Sequence, residues 1–309
     1  MKRISKNLII TFSLIFTLLL SACGTKPAEA PKDNNKPAAS YPLTIKDSRG
    51  TEIKIEKEPE KIVSVAPNIT EMIFALGKGD KLVGRTTYCD FPEEAKKVQD
   101  IGTLQKPDIE KIVELKPDLV IASTHFKEDV AKKFQELGIK VVSLYSDDKF
   151  DGVYESMNTL GKILNASEKS DEVVKGIKEK VQKVNEKVKD KKAPSVYYVV
   201  GFGNGGDFTS TGETYIHQMI TMAGGDNIAK DTTGWKYSKE KLIEKNPEII
   251  ILPEYFKAEF LTTEGYKDLN AVKNNKVFVI DNNLLDRQGP RLAEGVEALA
   301  KIIHPEEFK

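Results

Sequence analysis

The chain has 309 residues, which is enough for one large domain or two of medium size. Its 47 basic residues balance 47 acidic residues, so the formal net charge is zero. This balance excludes the global electrostatic attraction that draws strongly basic proteins to nucleic acid.

Residues 1–22 have the pattern of a lipoprotein signal peptide. Positive charges in the first six residues precede a nearly continuous apolar run at 8–20, which is too short for a comfortable membrane span. The Leu-Ser-Ala-Cys tetrapeptide that ends at Cys23 resembles a bacterial lipobox, in which this cysteine becomes the lipid-bearing first residue. The alternatives are a plain secretory peptide and a single membrane anchor. Residues 23–40 are rich in Pro, Ala, Lys and Asn, which predicts a flexible tether.

Short apolar strands then alternate with helices, after a small predicted hairpin at 41–55. The predicted strands lie at 61–65, 81–84, 119–122, 140–144, 195–200, 249–252 and 276–280. The predicted helices lie at 69–76, 109–115, 130–137, 150–164, 215–223, 239–243 and 290–303. This alternation predicts an α/β fold with parallel central sheets and helices on both faces. The elements fall into an N-terminal α/β lobe at 41–166 and a C-terminal α/β lobe at 193–309.

Between these lobes, residues 167–192 predict one long, highly charged helix. Its apolar residues recur at steps of three and four, the spacing of one helix face: Val173, Val174, Ile177, Val181, Val184 and Val188. Ser167 or Ser170 is a candidate cap for its start. A narrow apolar stripe on a helix roughly 35 Å long favours a bridge across a surface. The alternative is an ordinary surface helix of one domain.

A repeated segment favours the bridging helix over an ordinary surface helix. Residues 110–121 and 240–251 align at a constant offset of 130 residues. Each copy is a helix that begins at a glutamate, Glu110 or Glu240, is broken by a proline and leads into a buried strand. The repeat therefore predicts two similar, Rossmann-like lobes joined by the long helix. In the first helical turn, each glutamate also gains about 0.3–1 kcal/mol from the helix dipole.

Several familiar site patterns are incomplete. The glycine-rich stretch at 201–206 fits a dinucleotide motif, but no helix begins there to receive a pyrophosphate. His125, His217 and His304 lie far apart and form no zinc-ligand spacing. Cys89 has no nearby histidine, which favours a buried, inert thiol. No Ser-His-Asp or Cys-His arrangement follows from the spacing, so the sequence argues against an enzyme.

Aromatic side chains in loops are stronger candidates for a binding site. Tyr88, Phe208, Trp235 and Tyr237 lie after strands or between elements, outside any regular apolar periodicity. In parallel α/β sheets such loops border the ligand crevice, and aromatic rings there give rigid contact area. The alternative for each ring is local packing within its loop.

Two of the five arginines lie close together, at Arg287 and Arg291, where the last helix begins. A guanidinium offers a fixed fork for carboxylate or other oxygen ligands. We expect Arg287 to face the cleft. The alternative for Arg291 is a pair with a neighbouring carboxylate on the helix surface.

Together these features resemble the solute-binding lipoproteins of bacterial ABC importers, in the subgroup that takes iron siderophores, haem and cobalamin. The resemblance rests on the motifs at 65–72, 88–92, 208–212 and 287–291 and on the two glutamate-to-proline repeats. It implies two α/β lobes bridged by a single long helix, with the ligand between them. An enzyme that uses the crevice, and a surface sensor or adhesion protein, are the competing classes.

Within this subgroup the chain is most similar to the cobalamin-binding members. Their aromatic pocket positions fall on Tyr88, Phe208 and Trp235, and their polar contacts fall on Asn283 and Arg287.

The chain also departs from that pattern. Leu104 stands where a tryptophan is expected, and Leu284 and Leu285 replace two further aromatic residues. A ferric siderophore with carboxylate or catecholate oxygens equally matches Arg287 and Arg291.

The resemblance also implies partners and a location. Glu110 and Glu240 match the glutamates that pair with arginines of the permease, whose ATPase supplies the energy. The bound chelate brings its own cobalt or iron, so no intrinsic cofactor or metal site is expected. The protein would be a monomer on the outer face of the cytoplasmic membrane, anchored by lipid at Cys23.

Overall fold

The computed structural model describes residues 40–146 and 148–309. The predicted signal peptide at 1–22, the lipid site at Cys23 and nearly all of the tether at 23–40 lie outside these residues. Within the described ranges, no helix combines the length and the apolar character needed to cross a membrane.

The N-terminal lobe begins with the predicted hairpin, in which β1 and β2 pair antiparallel. Its strands are β1 (Leu43–Lys46), β2 (Glu52–Ile55), β3 (Ile62–Ser64), β4 (Leu82–Arg85), β5 (Gln99–Asp100), β6 (Leu119–Ala122) and β7 (Lys140–Ser143). Its helices are α1 (Pro67–Ala75), α2 (Ile109–Glu114), α3 (Glu128–Glu136) and α4 (Gly152–Ile163). The main sheet has the order β5-β4-β3-β6-β7, and every pair in it is parallel.

Helix α5 (Ser167–Val188) follows and ends four residues before the predicted boundary at 192. It packs against α4 of the N-terminal lobe and against the last helix of the chain. The predicted serine caps are wrong. Ala166 occupies the cap position, and the hydroxyl of the buried Ser170 donates instead to the side-chain oxygen of Asn158, at 2.9 Å.

The C-terminal lobe repeats the alternation with additional short elements. Its strands are β8 (Ser195–Gly201), β9 (Asp207–Thr209), β10 (Asp226–Asn227), β11 (Lys236–Tyr237), β12 (Ile249–Leu252) and β13 (Val277–Val279). Its helices are α6 (Tyr215–Met222), α7 (Lys239–Lys245), α8 (Glu254–Thr262), α9 (Asn270–Lys273), α10 (Asn283–Asp286) and α11 (Leu292–Ile303).

The second sheet is parallel at its centre, as predicted, but it is not parallel throughout. Its order is β11-β9-β8-β12-β13, with β10 also paired to β8. Strands β8, β10, β12 and β13 are parallel, whereas β9 pairs antiparallel with β8 and with β11. These two short antiparallel strands extend the sheet beyond the pattern of the first lobe.

Apolar strand sequences explain why each sheet is covered on both faces. All four residues of β6 and of β12 are buried, which is typical of parallel strands with helices on either side. Each lobe has its own core on one sheet face. A third core joins the opposite faces of both sheets through the buried Val174, Ile177, Val184 and Val188 of α5. The long helix is therefore a structural bridge between the lobes.

Candidate ligand-binding site

A cavity of about 790 Å³ lies between the two lobes. Residues that directly follow β3, β6 and β7 line it from the N-terminal lobe, and residues of β8 and β9 line it from the other. The carboxyl ends of parallel strands are the usual ligand position in open α/β sheets. The volume also falls within the range of roughly 300–1,000 Å³ that is common for small-molecule sites.

The C-terminal lobe contributes an aromatic wall. Phe208 lies in β9, and Trp235 directly precedes the antiparallel partner strand β11. The backbone N–H of Thr209 donates to the carbonyl of Trp235 at 2.9 Å, which fixes the two segments side by side. The antiparallel extension of the sheet therefore places both rings at the cavity.

The N-terminal lobe contributes a polar wall. Asn68, at the start of α1, donates to the hydroxyl of Ser123 at 3.1 Å and to the backbone carbonyl of Gln288 at 3.3 Å. Ser146 forms a hydrogen bond of 3.1 Å with the side-chain oxygen of Gln288. These neutral groups line the cavity and also connect the two lobes.

His125 lies on the same wall, with an exposed side chain. Its backbone φ of 63° is in the left-handed region, which is uncommon for residues other than glycine although histidine is enriched there. The described residues offer its imidazole no hydrogen-bond partner within bonding distance. The strained backbone thus holds an available ring nitrogen at the cavity.

An ion cluster joins the lobes beside the cavity, and we call it the arginine clamp. The carboxylate of Glu71, only 1% exposed, accepts from Arg287 at 2.9 Å and from Arg291 at 2.9 and 2.7 Å. Arg287 also donates to Asp90 at 2.8 Å. The Arg291 guanidinium lies 4.0 Å from the centre of the Phe91 ring. Both arginines of the C-terminal lobe are therefore bound by the N-terminal lobe.

Charge pairing in the clamp overcomes the cost of burial. Burial alone would raise the pKa of Asp90, but the hydrogen bond and charge of Arg287 hold it below its usual value. Burial would likewise lower the pKa of Arg287, yet its bonds to Asp90 and Glu71 raise it. Asp90 and Arg287 are therefore charged at neutral pH. By contrast, burial raises the pKa of Asp286, which also lines the cavity.

The structure brings together three of the seven predicted ligand contacts. Phe208, Trp235 and Arg287 all line the cavity, although Glu71 and Asp90 bind the Arg287 guanidinium. Leu104, which stands in the position expected for a tryptophan, lines it too.

The other four predicted contacts lie elsewhere. The Tyr88 side chain is 66% exposed, and only its backbone carbonyl accepts from Arg287, at 3.2 Å. Tyr237 is buried in the core of its lobe, with its ring 5.6 Å from that of Tyr197. Asn283 begins α10 without lining the cavity. Arg291 binds Glu71 of the opposite lobe rather than a neighbour on its own helix.

Sequence reasoning missed Glu71 and His125. Glu71 stands in the otherwise apolar helix α1, and a carboxylate in such a helix needs a charged partner if it is buried. His125 follows the buried strand β6 after only two polar residues, the position of a crevice loop. Both signals are visible in the sequence, but neither identifies the group that the side chain contacts.

Two weaker motifs now have structural explanations. Gly203 and Gly206 adopt φ values of 94° and 95° in a turn that leads into strand β9, so no helix N-terminus is available for a phosphate. Cys89 is buried, and burial raises the pKa of its thiol, as expected for an unreactive cysteine. Within the described ranges, no group of three His, Cys, Asp or Glu residues could hold a metal ion.

Helices α2 and α7 begin alike. Asp108 and Ser238, again 130 residues apart, cap these helices. Each side chain accepts a hydrogen bond from the backbone N–H three residues later, at 3.1 Å for Asp108 and 3.4 Å for Ser238. Glu110 and Glu240 occupy the first turn of each helix and are exposed. A hydrogen bond from the Ser238 hydroxyl lowers the pKa of Glu240. Both carboxyl groups face solvent.

Comparison with known proteins gives a consistent result. The model of the periplasmic binding protein family Peripla_BP_2 matches residues 62–284, more than half of the chain. An ABC transporter substrate-binding lipoprotein of Bacillus subtilis, YvrC, is 34% identical over 96% of this chain and 96% of its own length.

Two further relatives differ in what they bind. The high-affinity heme uptake system protein IsdE of Staphylococcus aureus is 29% identical, over 70% of this chain and 78% of its own. The crystal structure of the periplasmic vitamin B12 binding protein BtuF of Vibrio cholerae superposes with a TM-score of 0.69 and 25% identity, over 82% of this chain and 99% of that chain. The chain therefore belongs to the periplasmic binding protein family, and it is an ABC transporter substrate-binding protein rather than an enzyme.

Proposed function

We propose that the protein captures a corrinoid such as cobalamin and delivers it to the membrane permease of an ABC importer. The observation that carries this proposal is an aromatic wall in a cavity whose described lining residues include no lysine and only one arginine, which is already ion-paired. Phe208 and Trp235 supply flat apolar surface for a large macrocycle.

Charge argues against an anionic chelate. Among the described residues that line the cavity, Arg287 is the only lysine or arginine, and Glu71 and Asp90 already neutralise it. Carboxylates of Asp148 and Asp286 line the same space. A ferric catecholate carries several negative charges, and burying them here without a counter-charge would be costly. A neutral ligand is therefore better supported than a siderophore whose oxygens bind Arg287 and Arg291, which the sequence had also suggested.

The polar wall suits the edge of a corrin ring. Cobalamin carries amide groups around its macrocycle, and these both donate and accept hydrogen bonds. Asn68, Ser123, Ser146 and Gln288 are neutral groups of the same kind, and all of them line the cavity. Matched neutral groups avoid the penalty of leaving a buried polar group without a partner.

Haem is the second candidate, and His125 is the observation that favours it. A neutral imidazole nitrogen is a usual axial ligand of haem iron. In either case the metal arrives within the ligand, so the protein itself needs no cofactor.

The remaining parts of the proposal concern partners and location. Glu110 and Glu240 would pair with basic residues of the permease, whose ATPase provides the energy of transport. Cys23 would carry the lipid that holds the monomeric protein on the outer face of the cytoplasmic membrane. Replacing Cys23 with serine should release the protein from the membrane fraction; retention would require another anchor.

A titration of the full-length protein tests the ligand. Trp235 is the only tryptophan, so quenching of its fluorescence reports on the cavity directly. We expect cyanocobalamin to bind at least about tenfold more tightly than a ferric tris-catecholate, with equilibrium dialysis as the second measurement. Equal or tighter binding of the catecholate would contradict the proposal. If haemin binds instead, and His125→Ala removes the shift of its Soret band, haem replaces cobalamin as the ligand.

A further inference from the structure

Helices α2 and α7 present matching outward faces. Positions i, i+3 and i+4 of a helix lie on one side, and in both helices they read acid, apolar, acid. We call these the twin faces: Glu110, Val113 and Glu114 on α2, and Glu240, Ile243 and Glu244 on α7. All six side chains are exposed, and each pair of equivalents is again 130 residues apart.

The apolar member of each face is not explained by folding. Ile112 and Leu242, the preceding residues, are fully buried and anchor the two helices to their cores. Val113 and Ile243 point away from the core and remain 37% and 45% exposed. A single exposed hydrophobic side chain is ordinary, but the same exception at the same position of both copies indicates a shared use.

The acidic members are available to a partner. Within the described ranges no lysine or arginine forms an ion pair with any of these four glutamates. The nearby Lys111 pairs with Asp108 at 3.4 Å, and Lys239 donates to the carbonyl of Glu264 at 2.8 Å. Each face therefore presents two carboxylates without an ion pair around an apolar centre, with lysines at other positions of the same helices. Such a face complements a basic surface around an apolar socket.

We propose that Val113 and Ile243 are apolar anchors that dock into two equivalent sockets of the permease, between the basic groups that bind the flanking glutamates. This inference rests on the proposed function and extends its docking surface beyond Glu110 and Glu240. Two copies of one face are best met by two copies of one partner surface.

The test is the double variant Val113→Ser with Ile243→Ser, made in the full-length protein. We expect its affinity for the permease–ATPase complex in lipid nanodiscs to fall at least about tenfold, with unchanged affinity for the transported ligand. Leu137→Ser is the matched control, because Leu137 is 55% exposed at the end of α3, outside the twin faces. This control should bind the complex normally.

The outcomes separate this inference from the docking proposal on which it rests. An unchanged affinity of the double variant, or an equal loss in Leu137→Ser, would overturn the apolar anchors. If the charge reversals Glu110→Lys and Glu240→Lys still weaken binding, permease docking itself survives that result. Should the double variant unfold at a lower temperature than the natural protein, the single variants Val113→Gln and Ile243→Gln are measured instead. The affinity of each single variant for the permease–ATPase complex should fall by a similar factor. An affinity equal to that of the natural protein in both variants would overturn the inference.

Discussion

The two lobes are alike on their outer surface and different where they face each other. On the outside, caps, glutamates and exposed apolar residues repeat at one offset, and even Lys116 and Asn246 share a left-handed backbone, with φ values of 49° and 43°. At the cavity the first lobe offers mostly small polar groups, whereas the second adds the rings of Phe208 and Trp235 to its polar side chains. The repeated surface is the one proposed to dock with the permease, and the unrepeated surface is the one that lines the cavity.

The difference has a clear structural origin. The first sheet is parallel throughout, and its loops carry the polar wall. The second sheet adds the antiparallel strands β9 and β11, which bring Phe208 and Trp235 to the cavity. The added strands thus change the wall of the cavity, whereas helices α2 and α7 keep the same arrangement in both lobes.

The largest expected effect comes from reversing the outer charges. Glu110→Lys together with Glu240→Lys should weaken binding to the permease on the order of a thousandfold, about 4 kcal/mol, because like charges would then face each other. Each single reversal should contribute a similar share, measured by the affinity for the permease–ATPase complex in nanodiscs. If one single reversal greatly weakened binding and the other had no effect, the two lobes would not contribute equally to docking.

The next effect concerns the boundary between the lobes. Glu71→Gln leaves two arginines without their buried counter-charge and should lower the free energy of unfolding by about 3 kcal/mol in urea titrations. Asp90→Asn is the control, because Asp90 contacts the same Arg287 but its side chain is 50% exposed. Its cost should stay below about 1 kcal/mol. Equal costs would mean that burial of Glu71 does not set the strength of the clamp.

The aromatic wall gives a smaller effect. Trp235→Ala should weaken ligand binding at least about tenfold, or 1.4 kcal/mol, through the loss of a stacking surface. Tyr237→Phe, two residues further on, removes only the buried hydroxyl that donates to Ile228 and should leave affinity unchanged. Calorimetric titration with cyanocobalamin compares the two. If only Tyr237→Phe loses affinity, the ligand does not contact the aromatic wall that contains Trp235.

The smallest effect is a pH dependence that arises at Glu58 in the first lobe. Burial would raise the pKa of Glu58, but hydrogen bonds from Lys81, Lys78 and Asn165 lower it to about 2. Because the pKa is lowered, the stabilisation is complete above the ordinary value of 4.5 and is lost as pH falls towards 2.

Urea unfolding of Glu58→Gln measures how much the ionised Glu58 side chain stabilises the fold. The variant should be less stable than the natural protein by under about 1 kcal/mol at neutral pH, since these side chains are partly exposed. The difference should shrink below pH 4.5 and vanish near pH 2. A difference that is constant with pH would assign the effect to packing instead of charge.

Most of the fold could be predicted from local sequence patterns. Continuous apolar runs located β6 and β12 within the observed bounds, and the three- and four-residue steps located α5. Strands β9 and β11 were missed because two or three residues show no alternation. Helix α8 was missed because it buries only Phe260, so it has no periodic apolar stripe.

The site was less predictable than the fold because its residues meet across the lobes. The sequence pointed to Arg287 and to Trp235, but the carboxylate that binds Arg287 lies 216 residues earlier. Tyr237 resembled Trp235 as a loop aromatic, and only the pairing of β11 with β9 shows that its ring packs against Tyr197 in the core. Such choices depend on tertiary register, which local patterns do not encode.

The arginine clamp also has a kinetic consequence. Because Glu71 is buried between Arg287 and Arg291, parting the lobes on that side requires three charged groups to be rehydrated together. We therefore expect ligand binding to include a conformational step, with an association rate constant below the value for a preformed open site. The protein should release its ligand equally slowly in solution. Residence time would then be set by the clamp, and the permease could shorten it by drawing the lobes apart.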